Sequence, residues 1–93
     1  MAKHELKTWP SYFQAIVAKK KTFEVRQHDR DYAVGDRLIL REYDPEDSGM
    51  SRGRYTGQTA TVEVTYLMTG GQFGIAAGTC VMGIKFKAIN VDR

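Results

Sequence analysis

Within the strand region 58–68 apolar and polar side chains alternate one for one from 59 to 66, with Ala60, Val62, Val64 and Tyr66 on one side and Thr59, Thr61, Glu63 and Thr65 on the other. A period of two marks a strand whose faces differ, one packed on a core and one wet. A half-buried strand cannot stand alone, so the rest of the chain must supply its neighbours. Residues 37–43, with Leu38, Ile39 and Leu40, and residues 79–86 read as further strands. Residues 22–26 do so too: Phe23 and Val25 are expected to point inward, with Thr22, Glu24 and Arg26 on the opposite face, so that Glu24 and Arg26 share a side. Residues 4–8 form a weaker strand.

A single helix interrupts this series. Tyr12, Phe13, Ile16 and Val17 recur at helical spacing, which predicts one apolar stripe facing the core. Thr8 is placed to cap it, Trp9 and Pro10 lie in its first turn, and it runs to about Lys19. The lysines 19, 20 and 21 then complement the negative end of the helix dipole. Turns are expected at 29–31 and at Val34-Gly35-Asp36, a long loop rich in Pro, Asp, Ser and Gly at 44–57, and a further loop at Gly70-Gly71-Gln72-Phe73-Gly74. Five or six short strands and one helix in 93 residues predict an α+β, mostly β domain filling 1–93. Its architecture is a small, mostly antiparallel sheet curled into a barrel, with the helix over one opening.

Composition bounds what this domain can do. At 42% hydrophobic and 27% charged residues the chain is that of a folded soluble domain, too short for a second domain or for the large enzyme folds. No apolar run approaches the roughly twenty residues of a membrane helix or resembles a signal peptide, so the expectation is a cytoplasmic, monomeric protein intact from Met1. The single Cys80 has only His4 and His28 beside it and no zinc spacing, so neither a metal nor a cofactor is expected. Net charge is +3. Residues 19–30 carry all of it, with Lys19, Lys20, Lys21, Arg26 and Arg30 against Glu24 and Asp29. An excess confined to one place draws polyanions there.

Other constellations are weaker. The glycines of 70–74 precede no helix, which removes a phosphate-binding glycine loop. His4 and Cys80 have nothing to orient them as base and nucleophile, so Cys80 reads as a buried thiol, and His28 beside Asp29 as a turn residue. Asp44, Glu46 and Asp47 lack the ligand alternation of a calcium loop. The run from Lys19 to Arg26 remains, with Glu24 set between cations and suited to orienting them.

That run, Lys20-Lys21-Thr22-Phe23-Glu24-Val25-Arg26 after an amphipathic helix and followed by Val34-Gly35-Asp36, resembles the ASCH domains of the PUA-like superfamily. The pattern there is Gly-x-Lys-Thr-x-Glu-x-Arg and then an x-Gly-Asp turn. The segments His4-Glu5-Leu6-Lys7-Thr8-Trp9-Pro10, Arg41-Glu42-Tyr43-Asp44-Pro45 and Gly70-Gly71-Gln72-Phe73-Gly74 look closer still to a subfamily of small bacterial, phage and prophage proteins. Lys19 stands where a Gly usually ends the helix, so another turn geometry is expected in place of the left-handed cap.

The resemblance implies a five- or six-stranded barrel with a helix at its mouth, a cleft lined by the Lys-Thr-x-Glu-x-Arg strand, and RNA or nucleotide ligands. On that reading Lys7, Lys20, Lys21 and Arg26 meet phosphates, Thr22 and Glu24 lie on the lining strand, Gln72 reads a base edge, and Trp9 or Phe73 stacks. An enzyme is the alternative. Some relatives are similar to amidohydrolases of acylated cytidine that use a Lys and a Thr of this strand; Lys21 matches the lysine, but Glu24 occupies the nucleophile position. Others are described as ribonucleases, for which Lys21 and Arg26 would stabilise charge while Tyr43 or Glu24 moves protons. A third reading is a module that binds a host protein. In purely structural terms Trp9 and Phe73 would be core residues and Glu24 with Arg26 a cross-strand ion pair.

Overall fold

The computed structural model describes residues 1–46 and 53–91. In chain order the elements are β1 (Lys3–Thr8), α1 (Pro10–Val17), β2 (Phe23–Gln27), β3 (Arg37–Asp44), β4 (Arg54–Thr69) and β5 (Thr79–Val91). The strands form one five-stranded sheet in the order β1-β3-β4-β5-β2. β1 runs parallel to β3, and the other three neighbouring pairs are antiparallel. The sheet curls into a half-barrel. Its edges β1 and β2 approach closely enough for Arg26 Nη2 on β2 to donate to Thr8 Oγ1 on β1 at 3.1 Å, so the seam is crossed by side chains. No helix among the described residues is long and apolar enough to cross a membrane.

Inside the curl lie Leu6, Leu38, Leu40, Ala60, Val62, Val64, Cys80, Met82 and Ile84, joined by Phe13 and Ile16 from the helix and Tyr32 from the β2–β3 connection. The alternation of residues 58–68 holds as far as Val64 and then changes side. The β4–β5 ladder steps from Val64 opposite Ile84 to Tyr66 opposite Gly83, leaving Thr65 unpaired. One extra residue on a strand reverses the side each later side chain faces. Tyr66 is therefore exposed, and Leu67 packs against the core in its place.

Several strands outrun their sequence patterns. β4 begins at Arg54 and β3 reaches Asp44, with Tyr43 opposite Tyr55 and Asp44 opposite Arg54, so both flanks of the expected 44–57 loop are strand. The middle of that loop, Asp47 included, lies outside the described residues. β5 continues past Phe86 because Ala88–Asn90 pair with Thr59–Thr61 of β4. Pairing alone extends it there, for Ile89 is exposed and contributes little to a period-two signal.

β2 corrects the expected facing. Glu24 pairs with Met82 and Arg26 with Cys80, both fully buried residues, so the charged pair takes the core side. Phe23 and Val25 point outward and are about half exposed. Alternation states that two faces differ and leaves open which of them is inside. Here the polar face is inside because its charges neutralise one another.

The helix begins at Pro10 with Trp9 as its N-cap; Thr8 belongs to β1 and makes no cap hydrogen bond. Phe13 and Ile16 are buried and Val17 packs beside them, whereas Tyr12 is exposed. At the other end Lys19 adopts φ +63°, so the left-handed cap persists without glycine. Lys19 N–H donates to Ile16 O and Lys20 N–H to Ala15 O, both at 2.9 Å, the paired closure of a Schellman motif. These bonds hold a lysine in a region disfavoured for L-residues.

Asp36 fastens the start of β3. Its buried carboxylate accepts from Ala2 N and Ala33 N, each at 3.0 Å, and pairs with His4 Nε2 at 2.9 Å. The His4 hydrogen bond, opposed in part by burial, holds the Asp36 pKa below its ordinary value. A depressed carboxylate contributes stability above its unfolded pKa that is lost as pH falls through the folded one. We expect Asp36→Asn to lower stability at neutral pH by about 1–3 kcal/mol and to flatten the acid limb in urea melts taken across pH. Lys19→Gly is expected to raise stability by about 0.5–1 kcal/mol, and Lys19→Val to lower it, in the same melts.

Candidate functional site

A cleft of about 530 Å³ occupies the open seam, lined by Lys7 and Thr8 at the end of β1, Trp9 just after it, Tyr12 on the helix, Lys21 just before β2, and Phe23, Glu24, Val25 and Arg26 along β2. Its floor is a buried carboxylate. The Glu24 side chain is 4% exposed; Oε1 accepts from Lys21 Nζ at 2.7 Å and Oε2 from Arg26 Nε at 2.8 Å. Lys21 Nζ also donates to Phe23 O at 2.7 Å and lies 4.8 Å from the Phe23 ring centre and 5.7 Å from that of Tyr12. Arg26 reaches on to Thr8 across the seam. With both Glu24 oxygens engaged by cations, the group orients Lys21 and Arg26. The floor carries one net positive charge, and Lys7 adds another at the rim.

The walls are aromatic. Trp9 and Tyr12 are half exposed, with ring centres 6.4 Å apart and planes inclined by 14°, and Phe23 stands across from them on β2. Five of the residues singled out from sequence thus meet in one cavity: Lys7, Trp9, Lys21, Glu24 and Arg26. Lys20 and Thr22 are not among its lining residues, and Thr22 instead borders a smaller hollow of about 240 Å³ with Lys19, Ile84, Lys85 and Phe86. Tyr43 lies outside the lining, with Lys7 Nζ 4.1 Å above its ring.

Gln72 and Phe73 are also apart from the cleft, at the tip of the β4–β5 hairpin. Ile75 N–H donates to Gln72 O at 2.9 Å, and Phe73 and Gly74 between them have φ of +52° and +77°, which makes a type I′ turn. Gln72 Nε2 is bound to Thr69 O, and Phe73 is 84% exposed, so neither ring nor amide faces the cations.

Two lining residues of the cleft, Thr8 and Tyr12, had no functional expectation attached. Thr8 read as a helix cap, yet it continues the inward alternation begun by Leu6, and that period was its signal. Tyr12 sits on the helical stripe read as core. Outside the lining, Glu42, opposite Thr8 in the β1–β3 ladder, is buried and accepts from Gln14 Nε2 at 3.1 Å and Thr56 Oγ1 at 2.7 Å. Elsewhere, Cys80 is buried and burial pushes its thiol pKa up, with a smaller push from Asp29. It is an inert core group. Among the described residues no three His, Cys, Asp or Glu side chains are placed to hold a metal ion.

Fold and site define a class: a small half-barrel domain with a cationic, aromatic-walled cleft at its seam. The chain belongs to the family described as Domain of unknown function (DUF3850), whose profile matches residues 3–84. It is similar to the Uncharacterized 12.9 kDa protein in GpA 3′region of Escherichia phage P2, 38% identical over 66 residues, a stretch covering 70% of this chain and 54% of that protein. The chain therefore spans about half the length of this curated relative.

Removing the charge of Glu24 leaves Lys21 and Arg26 facing each other unneutralised. Glu24→Gln is expected to cost about 3–5 kcal/mol in denaturant unfolding, and the further change Arg26→Gln to recover part of that loss.

Proposed function

We propose that the seam cleft binds a phosphorylated nucleoside unit, free or within single-stranded RNA, and that the domain is a binding module of the ASCH type in the PUA-like superfamily. The observation that carries this reading is the Lys21–Glu24–Arg26 constellation lying beneath the exposed rings of Trp9 and Tyr12. One buried carboxylate holds two cations side by side. The third ammonium proton of Lys21 and Nη1 of Arg26 have no partner among the described residues and are available to a phosphate oxygen. Half-exposed aromatic rings at one wall offer a base a stacking surface. The volume, about 530 Å³, falls in the range of small-molecule sites. Lys21, Glu24 and Arg26 of the Lys-Thr-x-Glu-x-Arg run line the cleft, which supports the ASCH-type reading, while Thr22 of the same run lies outside it.

Trp9 is the sole tryptophan, so its fluorescence reports the cleft directly. Titration with uridine or adenosine 5′-monophosphate should change its emission saturably, and the affinity should fall as salt is raised. Lys21→Ala and Arg26→Gln should each weaken binding about tenfold or more, the worth of a charge-assisted hydrogen bond. If the double variant binds as tightly as the parent, the cleft is not the site.

A further inference from the structure

The solvent face of β1 and β3 carries a charge arrangement that strand pairing disfavours. In the parallel β1–β3 ladder Lys3 is opposite Arg37 and Lys7 is opposite Arg41. Like charges directly across a ladder repel, and this face holds two such pairs, with Glu5 opposite Ile39 between them. The nearby carboxylates compensate in part: Glu5 lies 4.0 Å from Arg41, and Glu63 lies 3.8 Å from Arg37 and 3.2 Å from Lys87. The four cations of the two pairs, with Lys87 beside Glu63, outnumber these two acids and leave the face positive.

Aromatic rings are interleaved with the cations. Lys7 Nζ is 4.1 Å from the centre of the Tyr43 ring, and the Arg41 guanidinium is 4.0 Å from that of Tyr55. The two tyrosines meet edge to face at 5.0 Å and 69°. The Arg41 side chain is 41% exposed beside the Tyr55 ring, which leaves its guanidinium accessible to a base. Lys7 belongs to this stripe and to the lining of the seam cleft, so the two surfaces are continuous.

We propose that the stripe of Lys3, Lys7, Arg37, Arg41, Tyr43 and Tyr55 is a second binding surface that receives a single-stranded nucleic acid running out of the cleft. The proposal rests on the cleft reading for the chemical class of its ligand and adds that this ligand is a chain. The cation pairs are four residues apart along β1, about 13 Å at strand rise. They therefore meet different phosphates of one backbone, and the flat groups between them suit its bases.

The test compares a fluorescently labelled twelve-nucleotide oligo-U, followed by anisotropy, with uridine 5′-monophosphate, followed by Trp9 emission. The proteins are the parent, Lys3→Gln/Arg41→Gln, and Arg41→Lys, which keeps charge but loses the planar face. The oligonucleotide should bind the parent at least about tenfold more tightly than the monophosphate. The double variant should lose that advantage, with the slope of log affinity against log salt reduced by about 1.4 for two lost phosphate contacts. Arg41→Lys should fall between, and monophosphate binding should not change in either variant. A stripe-dependent oligonucleotide complex without monophosphate binding sustains the stripe and removes the cleft. Monophosphate binding with no gain from length, or a double variant that holds the oligonucleotide like the parent, overturns the stripe and leaves the cleft standing. Silence with both ligands overturns both.

Discussion

The carboxylate of Glu24 is the point on which the seam depends. Buried on the inner face of β2, it pairs with Lys21 at the strand entrance and with Arg26 two residues on, and Arg26 continues to Thr8 at the end of β1. Each of these groups alone would be costly to bury. Together they are satisfied, and among the described residues no buried side-chain polar atom lacks a hydrogen-bond partner. The chain of contacts ties one sheet edge to the other where no backbone ladder does, which sets the curl of the sheet and the width of the cleft.

Because that closure is made of side chains, the seam stays accessible. A barrel closed by a β1–β2 ladder would bury the face that here presents two cations beneath aromatic rings. The same economy appears at the helix end, where Lys19 accepts a left-handed conformation so that Lys20 and Lys21 turn directly into β2. A short, hydrogen-bonded turn delivers Lys21 to Glu24, three residues on. Local strain at Lys19 and the placement of the ammonium group are therefore two ends of one constraint.

The outer stripe follows from the strand order. A parallel β1 places Lys7 against Arg41, and the β3–β4 ladder places Tyr43 against Tyr55. The first does not exist until β1 joins the sheet beside β3, at the opposite edge from β2, the next strand in sequence. Phe73, which read as a stacking residue, stands instead on a separate hairpin tip.

Period and turn chemistry by themselves determined much of this protein. The strand at 37–43, the alternation of 58–64, the helical stripe of Phe13 and Ile16 and the turn at Gly35 stand where the sequence predicts them, because each depends on neighbours in sequence. The localised charge of residues 19–30 likewise marked the strand that lines the cleft. Tertiary structure decided which face of β2 is inside, since alternation is symmetric until Glu24 and Arg26 are paired with Met82 and Cys80. It decided where Tyr66 points, because an unpaired Thr65 reverses the strand's facing. It also decided the membership of the site: Thr8 and Tyr12 enter, and Gln72 and Phe73 leave, through contacts between segments far apart in the chain. Local periodicity cannot encode such contacts, for they depend on strand register and on how far the sheet curls before its edges meet.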